Sequence, residues 1–171
     1  SWHRFGATSC VSLKEEHSVT NGMSRHLLPA PSVGLSVRAT TGRAVAVFRE
    51  PVERQYRPLP AESTPAVVVN GFGGGRSVCL AGNRGEHYCE YGIPAHLDLV
   101  GNAVRWLSRP VLEVSGAPQT LAVVLREQAD SGRLVLHLVS STGEMRRPFR
   151  AIVPLHGVGV VLHEARAVRS V

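Results

Sequence analysis

The chain has 171 residues, 43% of them hydrophobic, enough for one ordinary domain or a domain with a small appendage, which excludes a disordered tail. Nineteen basic residues against 13 acidic ones give a formal charge of +6, yet Lys14 is the only lysine and the arginines are scattered from Arg4 to Arg169. With aromatics at 5% and no basic stripe interleaved with them, nucleic acid is not an expected partner.

Residues 1–31 are polar and mixed and carry no clear periodicity. "VGLSVRA" (33–39) and "RAVAVFRE" (43–50), separated by "TTG", predict a strand, a turn and a strand. The proline-rich, charged stretch 51–65 predicts an exposed connection. "AVVVN" (66–70) and "SVCLAG" (77–82) are continuous apolar runs of strand length, as expected of strands covered on both faces by helices.

Between them lies "GFGGGR". A dinucleotide or phosphate loop needs its glycines to open a helix, so that backbone amides and the helix dipole meet the anion. Here Arg76 stands where the third glycine belongs and a strand follows, so the glycines predict the turn of a hairpin.

"NRGEHYCEYGIP" (83–94) predicts a polar loop leading from a strand into a helix, the position where ligands collect in open α/β sheets. Its Asn83, Arg84, Glu86, His87, Tyr88, Glu90 and Tyr91 are candidates for binding a sugar or another small molecule; any exposed connection is polar as well. In "AHLDLVGNAVRWLS" (95–108), Leu97, Val100, Val104 and Leu107 recur at helical spacing, with Leu99, Ala103 and Trp106 widening the stripe, and Pro94 precedes the helix. Beyond Pro110 the helical period vanishes. "VLEVSG", "TLAVVLREQ", "RLVLHLVSS", "AIVPLHG" and "VGVVLHEA" predict short antiparallel strands, so a boundary is expected near Arg109, between an α/β part (1–109) and a β-sandwich (110–171).

Catalytic chemistry is not complete anywhere. Cys10, Cys79 and Cys89 form neither a zinc pattern nor a disulfide framework, which favours reduced thiols and a cytoplasmic setting. Cys79, within an apolar strand, is expected to be buried and inert, and Cys89 with His87 lacks the elbow of a nucleophile. The eight histidines have no metal-ligand spacing, no carboxylate pair is placed for glycoside hydrolysis, and no cofactor is expected. No apolar run reaches the roughly 20 residues of a membrane-spanning helix. The start "SWHRFGATSC", without methionine, is expected of a processed chain or a piece of a longer one.

Three segments in order, "HSVTNGM" (17–23), the stretch 65–107 from "PAVVVNGFGGG" to "NAVRWL", and "LHLVSSTGEMRRPFRAIVPLHGVGVVL" (136–162), resemble the C-terminal region of glycoside-hydrolase-like proteins related to β-galactosidases that carry a trimerisation domain. The resemblance implies part of a flavodoxin-like, class I glutamine-amidotransferase-like domain followed by a small β domain. In that family a catalytic barrel comes first, and the amidotransferase-like domain serves assembly and helps wall the active site. It therefore implies a non-catalytic role for this chain and a homo-oligomeric parent, and it carries over no catalytic residue.

Overall fold

Four consecutive apolar residues, Val45–Phe48, are all buried, so the strand that holds them is covered on both faces. They belong to a five-stranded sheet in a computed structural model that describes residues 2–4, 9–23, 28–49, 62–141 and 153–163. The strands of the first part are β1 (Trp2–Arg4), β2 (Cys10–Leu13), β3 (Leu28–Pro29), β4 (Val33–Leu35), β5 (Arg43–Arg49), β6 (Glu62–Phe72) and β7 (Gly75–Leu80). The sheet order is β3-β2-β5-β6-β7, and β1 pairs separately with β4. Most of the predicted connection 51–65 lies outside the described residues, but its last four begin β6. Pro65 cannot donate to the ladder, and it sits opposite Val47, where the β5–β6 register shifts.

Every strand pair among the described residues is antiparallel. The first unit is thus an antiparallel sheet with two helices, and the parallel pairing of a flavodoxin-like domain is not among the described strands. The predicted strand-turn-strand at 33–50 is not a hairpin either. β4 pairs with β1, while β5 lies between β2 and β6, because the short apolar strand β2, unseen in the mixed sequence of residues 1–31, takes the place beside it.

The glycine-rich segment is the turn of the β6–β7 hairpin. Phe72 faces Gly75 in register, and Gly73 between them has φ +58°, a conformation that glycine adopts at little steric cost. Cys79 is exposed, contrary to expectation, because β7 is an edge strand whose Gly75–Ser77 and Cys79 face outward.

Residues 84–91, predicted as a loop, form helix α1 (Arg84–Tyr91), closed by Gly92 in the left-handed region at φ +65° with its N–H on the Tyr88 carbonyl. Helix α2 (Pro94–Leu107) follows, with Pro94 in its first turn, where a missing N–H costs nothing. Its buried face is His96, Leu99 and Ala103, so the core takes the flank of the expected stripe rather than its centre. Leu97, Val104 and Leu107 are 37%, 56% and 43% exposed. Leu99 and Ala103 join Val11, Val19, Val45, Phe48, Val67 and Ala81 in the core.

The chain divides into two compact units, Ser1–Arg109 and Pro110–Val171. In the second, β8 (Leu112–Ser115) pairs with β11 (Gly159–Leu162), and β9 (Leu121–Gln128) with β10 (Arg133–Ser140). Residues 153–158, expected as part of a strand, are irregular. None of the described residues from Pro110 onward is buried, so these two ribbons share no sandwich core among the described residues.

Candidate functional site

Helical geometry brings residues three and four apart onto one face, so folding 84–91 into α1 aligns Arg84, His87 and Tyr91. Asn83 precedes them without capping the helix. Its Oδ1 accepts from the Val33 N–H at 3.0 Å, and its Nδ2 reaches Glu86 Oε2 at 2.6 Å and Ser32 Oγ at 3.2 Å. With the Asn83 N–H donating to the Val33 carbonyl and a bridge from Gly34 to Gly82, the entry to α1 is fixed against β4. The approach is close: a Cβ on Gly82 would stand 2.4 Å from Pro31 Cγ.

Arg84, the first residue of α1, is 2% exposed, and His96, in the first turn of α2, is 1% exposed. Arg84 Nη1 lies 3.2 Å from His96 Nδ1, and His96 Nε2 lies 2.8 Å from His87 Nδ1. A guanidinium only donates, so His96 Nδ1 accepts and its single proton sits on Nε2. That proton is donated to His87 Nδ1, which leaves the His87 proton on its own Nε2. The chain of donors therefore assigns both tautomers.

Burial pushes the His96 pKa down to about 4, and the positive charge of Arg84 and the neighbouring His87 add to the effect. Burial also lowers Arg84, to about 10, so it remains a cation at neutral pH. Its Nε and Nη2 are buried and have no hydrogen-bond partner among the described residues. The His87 ring packs on the exposed Tyr91 ring at 4.6 Å, and the hydrogen bond that the Tyr91 hydroxyl donates to Glu90, together with the negative charge of that carboxylate, raises the Tyr91 pKa.

The predicted residues thus separate by role. Arg84 and His87 come together with His96, which the sequence reading passed over; Asn83 and Glu86 hold the entry to the helix; Tyr91 lies at the surface. His96 could have been found by taking 96, 99 and 103 as one helical face. Cys89 is two residues from His87, a spacing that points the two side chains to different sides of α1, and His87 is already engaged by His96. Among the described residues no group of three or more His, Cys, Asp or Glu is placed to hold a metal, and no helix is long and apolar enough to cross a membrane. The arrangement fixes proton positions and joins two helices.

No protein-family model matches the chain, and no curated protein matches it in sequence. Among solved structures, alpha-L-fucosidase isoenzyme 2 from Paenibacillus thiaminolyticus is similar over 92% of this chain, with a TM-score of 0.68 and 20% identity. The chain spans 25% of that protein's length. At this identity the similarity establishes a shared fold.

Proposed function

We propose that the chain is a non-catalytic C-terminal part of a longer glycoside-hydrolase-related protein, serving its assembly into a homo-oligomer and walling its active site. The observation that carries the reading is the fold shared, over nearly the whole chain, with a quarter of a fucosidase. On this reading residues 1–109 belong to the assembly domain and 110–171 to the closing β domain.

The exposed face of α2 supports the same conclusion. Leu97, Val104 and Leu107 lie seven and three residues apart, one exposed stripe on a helix that turns His96, Leu99 and Ala103 into the core. Contiguous apolar surface of this kind marks an interaction site. Light scattering on the full-length parent tests the proposal. Association that is lost in Leu97→Ser/Val104→Ser/Leu107→Ser at unchanged Tm is the expected result, and a strictly monomeric parent overturns it.

A further inference from the structure

We propose that a groove around His17, on the first unit and apart from α1, binds a neutral pyranose sugar. The inference does not depend on the assembly reading. It concerns residues other than the 83–91 candidates, whose binding role is a separate expectation.

Two adjoining cavities share His17. One, of about 320 Å³, is lined by His17, Thr41, Arg43, Asn70, Gly71 and Trp106. The other, of about 810 Å³, runs along residues 13–23 and adds Lys14, Glu15 and Glu16. Ligand clefts for small molecules fall in this size range.

The polar groups are held in place before any ligand arrives. His17 caps the short 3-10 turn Ser18–Thr20: its Nδ1 accepts from the Val19 N–H at 3.1 Å, and its own N–H donates to Thr20 Oγ1 at 3.2 Å. The Nδ1 contact puts the ring proton on Nε2. Asn70 Nδ2 donates to Thr41 Oγ1 at 3.2 Å, which leaves the amide oxygen to accept from a ligand. Trp106 forms an apolar wall, fixed by the edge of His17 at 5.1 Å and by the Arg76 guanidinium, 5.3 Å from the ring and bonded to the Trp106 carbonyl at 2.9 Å.

Charge decides the ligand class. Arg43 Nε pairs with Glu15 Oε1 at 2.8 Å and Lys14 Nζ with Glu62 Oε2 at 3.3 Å, and Glu16 adds a negative charge, so the groove has no excess of cations to attract an anion. What it offers is an indole wall, an amide, a hydroxyl and a paired carboxylate and guanidinium. A ring with apolar C–H faces and a rim of hydroxyls that both donate and accept matches that set.

The test titrates L-fucose, D-galactose and methyl β-D-galactoside into the full chain carrying Trp2→Phe, so that Trp106 alone reports by fluorescence, with sodium sulfate as the anion control. Calorimetry on the unaltered chain reads the same binding if Trp2→Phe does not fold. The expected result is a saturable response to at least one sugar near about 1 mM, weakened about tenfold or more in Asn70→Ala and Thr41→Val at unchanged Tm. A response to sulfate alone, no saturable response to any of the sugars, or binding that both variants leave intact overturns the proposal.

Discussion

At His96 one side chain holds two others in register. Its Nδ1 is the only hydrogen-bond acceptor that the described residues give to the buried guanidinium of Arg84, and its Nε2–H donates to His87. His96→Leu removes that acceptor and leaves a buried cation without one, at a cost on the order of 3 kcal/mol. Removing the cation as well relieves the penalty, so Arg84→Met/His96→Leu is expected to be more stable than His96→Leu alone, a non-additivity that a double-mutant cycle by denaturant unfolding measures. The same residue sets a pH dependence. Its folded pKa of about 4 lies below the ordinary 6.5, so between these values the unfolded chain binds the proton and the folded one does not. Its contribution to stability is complete above 6.5 and is lost as pH falls toward 4. Melting temperature is expected to drop between about pH 7 and about pH 5, with a shallower slope in His96→Leu. Arg84 and His87 were legible as candidates from their chemistry alone. Their partner was not, because a histidine near a helix start reads as polar surface until the helix is known to turn it inward.

Helix α2 presents two apolar sides, and only one of them is covered. Leu99→Ala is expected to destabilise by about 3 kcal/mol, the range for a buried leucine that leaves a cavity, whereas Val104→Ser stays within about 0.5 kcal/mol; chemical unfolding of the two variants checks the assignment of faces. Hydrophobic periodicity located this helix to within a residue, with Pro94 in its first turn rather than just before it, but it gave Leu97, Val104 and Leu107 the inward role. Periodicity ranks faces by apolarity, and it cannot distinguish a face buried by this chain from one awaiting another surface. For the β6–β7 hairpin the local signal was sufficient, because a strand on either side leaves glycines no role but the turn. For α1 it was not. Its polar composition between a strand and a helix gave 83–94 the look of a loop, and only tertiary contact through Arg84 and His87 to α2 shows what stabilises eight helical residues.

Burial is distributed unevenly between the two units. Among the described residues the buried apolar ones, from Cys10 to Ala103, all lie in the first, whereas in the second Val124, Leu136, Leu138, Val139 and Val161 are more than a third exposed. Residues 1–109 on their own are therefore expected to unfold in a single cooperative thermal transition, and residues 110–171 on their own to show none; calorimetry on the two separated pieces decides it. The change from helical to strand period near Pro110 was visible in the sequence, since periodicity is local. The antiparallel order of the first sheet was not, because strand pairing depends on partners such as β2 and β5, which are separated by a long stretch of chain. Finally, Cys79 and Cys89 are both exposed and unbonded. Copies stored in air can cross-link through either thiol, and such species would mimic a specific oligomer on a sizing column. Any mass assigned to an assembly of this protein is meaningful only under reductant, or in a Cys79→Ser/Cys89→Ser background.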